Sequence, residues 1–152
     1  MNNEQLKSFV LSIASEAEIV EGKQYLTALV SQNKFHELAK SLKESDDTSF
    51  DYLFCLTGMD WGDSLGVVYF LESTKHKHTM VLKAKTSNRK DPVLVSVSDI
   101  WKTADFLERE VFDLLGITFK NHPDMRRIFL DENWIGYPLR KDYVDELNII
   151  ER

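Results

Sequence analysis

Between Phe50 and Lys85 three runs of strand-like residues follow one another with only short turns between them, and this constrains the fold more than any other stretch. Phe50, Tyr52, Phe54 and Leu56 alternate at a spacing of two, the period of a strand with one buried face. The turn set Asp60-Trp61-Gly62-Asp63 leads into Val67 to Leu71. A second polar turn, around Lys75 to His78, leads into Met80, Leu82 and Ala84, which alternate with Lys83 and Lys85. Two hairpins in succession predict an antiparallel region of sheet.

Helical spacing appears on both sides of this block. Leu6, Phe9, Val10, Ile13 and Ala14 predict an amphipathic first helix with Asn2 or Asn3 as its cap. Gly22 breaks that pattern, and Tyr25 to Val30 reads as a strand. Ser31 is placed to cap a second helix that carries Phe35, Leu38, Ala39 and Leu42 on one face. A polar loop, Ser87 to Pro92, follows the third strand run. A third helix, Thr103 to Leu115, ends at Gly116, a residue suited to a helix stop.

The third helix is chemically unusual. Ala104, Leu107, Val111, Leu114 and Leu115 form a stripe that should pack on the sheet. Glu108 and Glu110 fall on its margins, and Arg109 and Asp113 point away. Asp105–Arg109 and Arg109–Asp113 are both spaced i to i+4, so Arg109 is expected to be clasped along the helix. Each such pair contributes only about 0.3–0.5 kcal/mol, too little to account for the cluster. Phe106 and Phe112 lie outside the stripe, so a second surface must cover them. Beyond Gly116 the chain holds aromatics, prolines and charges without a long periodic element.

Composition excludes several functions. The chain has 152 residues, enough for one ordinary domain. Its net charge of −6 disfavours nonspecific binding to nucleic acid and gives no electrostatic reason to sit on anionic lipid. Cys55 is the only cysteine, so no intrachain disulfide, iron–sulfur cluster or cysteine-based zinc site can form. The few glycines make neither a phosphate loop nor a dinucleotide fingerprint. No stretch approaches the ~20 apolar residues that span a bilayer, and the polar N-terminus does not read as a signal peptide.

Two segments carry a resemblance. Glu108 to Leu130 reads EREVFDLLGITFKNHPDMRRIFL, and Gly136 to Tyr143 reads GYPLRKDY. Together they resemble the signature of the 30 kDa subunit family of NADH–quinone oxidoreductases. In that family a Glu-Arg-Glu helix with a following Asp and Gly leads to His-Pro-Asp, paired Arg, and Gly-x-Pro-Leu-Arg-Lys-Asp. The matching positions are Glu108, Arg109, Glu110, Asp113, Gly116, His122, Pro123, Asp124, Arg126, Arg127, Gly136, Pro138, Leu139, Arg140, Lys141 and Asp142. The upstream Leu-Thr-Gly-Met-Asp-Trp segment is also similar, so the resemblance covers nearly the whole chain.

The resemblance implies an α/β (α+β) two-layer sandwich. Its mixed, mostly antiparallel sheet has helices on one face, in the order α-β-β-α-β-β-β-α. Residues 1–117 would form the domain, and residues 118–152 an extended C-terminal segment packing on the domain and on a partner. It implies a non-redox structural subunit in the peripheral arm of a proton-translocating complex, inactive alone. The partners would be the 49 kDa-type (D-type) protein and neighbouring iron–sulfur subunits, which with their neighbours carry flavin, clusters and quinone. The place implied is the cytoplasmic face of the bacterial inner membrane, held through the complex. The signature charges are expected to lock the tail, with Arg126, Arg127 and Arg140 bonded to carboxylates such as Glu108, Glu110 and Asp113. Pro123 and Pro138 would stiffen its backbone.

Two other readings remain open on the residues. The family extends to energy-converting hydrogenases and to dehydrogenases with other electron donors. His122 with Asp124 or Asp113 could instead serve a stand-alone hydrolase, although no nucleophile is evident. His76 and His78, flanked by Lys75 and Lys77, are expected on a solvated turn, and Cys55 as an inert buried thiol.

Overall fold

The computed structural model describes residues 2–145. Its elements are α1 (Asn3–Ile13), β1 (Glu18–Glu21), β2 (Leu26–Leu29), α2 (Gln32–Glu44), β3 (Tyr52–Asp60), β4 (Leu65–Ser73), β5 (His78–Thr86), β6 (Val93–Val95), α3 (Thr103–Leu115) and β7 (Thr118–Lys120). Five strands form one sheet in the order β1-β2-β5-β4-β3, with β2 and β5 parallel and the other neighbours antiparallel. The short strands β6 and β7 pair in parallel as a second sheet. The fold is the expected mixed sheet with helices on one face.

Local chemistry sets the helix ends. Asn2 Oδ1 accepts from the Gln5 amide at 2.9 Å, and Gln5 Oε1 accepts from the Asn2 amide at 3.0 Å, a reciprocal cap. Ser31 occupies the N-cap of α2 without making the expected side-chain cap; its hydroxyl donates to Glu16 at 2.6 Å instead. Gly116 closes α3 in the left-handed region at φ 70°, as expected.

Strand register separates the two faces of the sheet. Leu26, Met80, Leu71 and Leu53 share one cross-strand row, and Ala28, Leu82, Tyr69 and Leu56 share the next. These rows are buried against Leu6 and Val10 of α1, Phe35 and Leu38 of α2, and Ala104, Val111 and Leu115 of α3. The simple alternation expected from Phe50 to Leu56 does not hold. A bulge at Phe54 shifts the register, so Phe50, Leu53 and Leu56 are buried while Tyr52 and Phe54 are 46% and 38% exposed on the other side.

The expected boundary at residue 117 cuts ahead of β7, whose Phe119 is buried in the core. The domain therefore continues through Lys120. Strands β6 and β7 escape periodicity because each is three residues long. The end of the expected tail, 146–152, lies outside the described residues.

Helix α3 packs directly onto β3 at Gly58. A Cβ there would lie 2.2 Å from Leu115 Cδ1 and 3.0 Å from Val111 Cγ1. Gly58→Val should force helix and strand apart and cost about 1–3 kcal/mol in chemical denaturation; unchanged stability would contradict this packing.

Candidate functional site

The tail returns to α3 and is held there chiefly by one carboxylate. Asp113 is fully buried. Its Oδ2 accepts from three successive amides, those of Ile128, Phe129 and Leu130, at 3.1, 2.7 and 3.0 Å. Its Oδ1 accepts from Arg127 Nη1 at 2.9 Å. Burial pushes the Asp113 carboxyl pKa up, but these donors outweigh burial and the net shift is downward. Arg127 Nη1 also reaches the Asp113 carbonyl, and Nη2 bonds the carbonyls of Trp134 and Gly136 at 3.1 and 3.2 Å. One guanidinium thus ties the helix to two successive turns of tail.

Arg140 serves the end of α3. Its Nε donates to the Leu115 carbonyl at 2.6 Å, and its Nη groups reach the carbonyls of Arg89 and Gly116. A cation here satisfies orphan carbonyls and complements the helix dipole. The Tyr137 ring lies under both Arg127 and Arg140, at 5.2 and 4.8 Å from the guanidinium carbons. The same ring covers Gly116, where a Cβ would sit 2.4 Å from it. Gly136, at φ 84°, turns the tail so that Tyr143 packs over it.

A third anchor holds Lys141 and Asp142. Asp60, at the end of β3, binds Arg89 through both carboxylate oxygens at 2.7 and 3.0 Å and accepts from the Lys141 amide at 2.9 Å. Arg89 also pairs with Asp142 at 3.1 Å. The Arg89 guanidinium holds the Asp60 carboxyl well below the usual carboxylate range. Asp60 and Arg89 were not among the expected site residues. Asp60 lies in the turn and in the family-like Leu-Thr-Gly-Met-Asp-Trp segment, Arg89 in a polar loop, and nothing local connects them.

The other end of α3 carries a separate cluster. Glu108, fully buried, accepts from the Ser96 hydroxyl at 2.6 Å and the Val97 amide at 2.8 Å. His122 Nε2 lies 3.9 Å from its carboxylate and donates to the Asp105 carbonyl at 3.0 Å. His122 Nδ1 accepts from the Asp124 amide at 3.0 Å. Both ring nitrogens are engaged by backbone and the side chain is fully enclosed, so His122 offers no base to a substrate.

Several expected contacts are replaced by others. Arg109 is not clasped by Asp105 and Asp113; it donates to the carbonyls of Arg126 and Arg127 at 3.2 and 3.3 Å. Asp113 does point away from the stripe, but the returning tail buries it. Of Arg126, Arg127 and Arg140, only Arg127 meets a helix carboxylate. Arg126 pairs with Asp124, and Arg140 meets carbonyls. Glu110 and Pro123 are exposed, and Pro138 is half-buried. The turn at His76 and His78 is less solvated than expected: His76 Nε2 donates to the Asp46 carbonyl, and His78 packs on Phe50. Cys55 is half-buried on the face of the sheet opposite the helices.

The outer side of α3 and the braced tail leave large apolar side chains exposed. Phe106, Phe129, Leu139 and Val144 are 60–66% exposed and Ile135 is 90% exposed. The arrangement is an aromatic-rich tail tied down by hydrogen bonds on a small α/β domain.

Residues 28–147 match the model of the respiratory-chain NADH dehydrogenase 30 kDa subunit family, and the chain belongs to that family. It is 53% identical over 120 residues to the C/D-type NADH-quinone oxidoreductase subunit of Phocaeicola vulgatus, covering 78% of this chain and 23% of that protein. It is 39% identical over 137 residues to the C-type NADH-quinone oxidoreductase subunit of Geobacter sulfurreducens, covering 86% of this chain and 81% of that one. The chain thus spans under a quarter of the C/D-type relative. Among solved structures, a chain of the membrane-bound sulfane sulfur reductase, an archaeal respiratory membrane complex, superposes with a TM-score of 0.78 and 26% identity. That match covers 95% of this chain and 86% of the other.

Two results should follow from the geometry. Asp113→Ala leaves Arg127 and three amides without their acceptor, so stability should fall by on the order of 3 kcal/mol. Proteolysis should then begin beyond Gly116; a tail as resistant as the parent's would refute the role of Asp113. For Glu108, burial pushes the carboxyl pKa up to about 7 against donors that lower it. The folded chain then holds a proton that the unfolded chain releases between pH 4.5 and 7, so this group's contribution falls as pH rises through that window and levels off above it. Burial lowers the His78 pKa, which acts in the opposite direction. The comparison with Glu108→Gln isolates the effect: the variant's advantage in urea midpoint should grow from pH 5 to pH 7.5, and a constant difference would contradict it.

Proposed function

We propose that this chain is a non-redox structural subunit of the peripheral arm of a proton-translocating NADH–quinone oxidoreductase, docked through its tail and the outer side of α3 beside a 49 kDa-type (D-type) protein. The observation that carries this is the set of exposed apolar side chains, Phe106 on α3 and Phe129, Ile135, Leu139 and Val144 on the tail that Asp113, Arg127 and Arg140 hold to the helix. Apolar anchors whose ordering cost is met before binding are the recurrent pattern of a strong interface. Family membership and the C/D naming of the Phocaeicola relative support a neighbour of the D type.

Electron carriers belong, in this reading, to the neighbouring subunits, including the iron–sulfur ones. Among the described residues no three His, Cys, Asp or Glu side chains converge as a metal site. Among the described residues no helix is long and apolar enough to cross a membrane. In the same reading the chain is held at the cytoplasmic face of the inner membrane by its partners, and alone it catalyses no reaction. The likeness to the archaeal reductase favours one second reading, an equivalent place in a related respiratory membrane complex other than an NADH–quinone oxidoreductase.

Replacing Ile135 with Glu puts a charge into the proposed contact without touching the domain core. Co-purification with the D-type and iron–sulfur subunits should fall more than tenfold, while the melting temperature of the isolated chain stays unchanged. Arg127→Ala should reduce complex yield as well, because the tail loses its brace. Normal assembly and activity with both variants would overturn the proposal.

A further inference from the structure

The tail and α3 occupy one side of the sheet, and the opposite side has no covering element among the described residues. Strand register assigns this open face. Thr27, Val81, Phe70 and Cys55 form one cross-strand row, and Leu29, Lys83, Val68 and Thr57 form the next. A groove of about 350 Å³ runs over them, with Tyr25, Met59, Trp61, Val68, Phe70 and Val81 as its apolar lining. Its polar lining is Thr27, Thr57 and Lys83. A second depression around Gly22 to Tyr25 shares Tyr25 and Thr27 with it, so the two are continuous and Lys23 lies at the far end. Crossing from β2 to β3 spans three strand gaps, roughly 14 Å at about 4.8 Å each. That is the length of a short helix or extended segment rather than of a single side chain.

The charges on this face have one sign at its centre. Lys83 lines the groove, and Lys85 Nζ lies 4.4 Å above the Trp61 ring. Of the carboxylates on the same face, Glu72 stands in an outer row, and Glu18 stands at the β1 end of the Lys83 row with Leu29 between them. Among the described residues no carboxylate is within ion-pair distance of Lys83 or Lys85. In a chain with net charge −6, two unpaired lysines beside an aromatic groove are complementary to a segment with apolar side chains flanked by carboxylates. A second copy fits poorly, because a two-fold axis through the groove would set Lys83 and Lys85 against their own counterparts.

We infer that the open face is a second docking surface, for an acidic amphipathic segment of a neighbouring subunit, and that the chain bridges two neighbours through opposite layers. This rests on the subunit reading proposed above.

The test uses the intact complex purified from native membranes and the isolated chain. Acetylation by an N-hydroxysuccinimide ester, read by mass spectrometry, should drop at least tenfold at Lys83 and Lys85 on assembly. Carbodiimide, which joins an amine to a carboxylate in contact with it, should link Lys83 or Lys85 to an Asp or Glu of another subunit. Lys83→Glu with Lys85→Glu should lower retention in the complex severalfold without moving the melting temperature of the isolated chain. Undiminished acetylation of both lysines in a complex that protects Lys141 would overturn the inference and leave the tail interface standing. Protection that appears in the isolated chain as it dimerises would assign the face to a second copy and equally overturn it. Absence of the chain from the complex would defeat both readings.

Discussion

The buried carboxylate of Asp113 is the interaction on which the ordering of the tail depends. A charge placed inside a protein is costly unless donors replace the water it leaves. Asp113 meets that requirement with three consecutive backbone amides and the Arg127 guanidinium, so it determines the path of residues 127–130 as well as a single contact. Consecutive amides can converge on one oxygen only when the backbone curls around it. Once that curl exists, the carbonyls of Trp134 and Gly136 fall within reach of Arg127, and Tyr137 slides beneath both arginines and over Gly116. Glycine at 116 serves the helix stop and the ring contact together.

This arrangement turns an aperiodic tail into a rigid surface. Exposed apolar side chains on a mobile segment would lose much of their binding free energy to ordering. Here the same side chains stand on backbone anchored at α3, at its C-terminal carbonyls and at Asp60. The sheet adds the opposite layer, where Trp61 and the lysines face outward. On the reading proposed above, a small domain with these two surfaces suits a component that keeps neighbours in register.

Much of the architecture was legible because it rests on periodicity. The stripe on α3, the hairpins and the stop at Gly116 all follow from spacing and residue type. The bulge at Phe54 was not legible, since alternation gives the period of a strand and cannot say where one residue is inserted. Strands β6 and β7 are too short to show a period, and parallel pairing joins segments with α3 between them. At the site, Asp113 and Arg127 could be named from the two charged motifs. The partners of Arg109 and Arg140 could not, because carbonyl acceptors leave no mark on residue type. Asp60 and Arg89 were missed for a related reason: their pairing spans 29 residues and joins a turn to a loop.

The central claim is that the tail is ordered by the chain's own carboxylates before any partner binds. Hydrogen exchange on the isolated wild-type chain tests it most directly. The amides of Ile128, Phe129 and Leu130 should exchange at least a hundredfold slower than an unstructured peptide at pH 7. Exchange at random-coil rates for these three, with the sheet amides still protected, would contradict it.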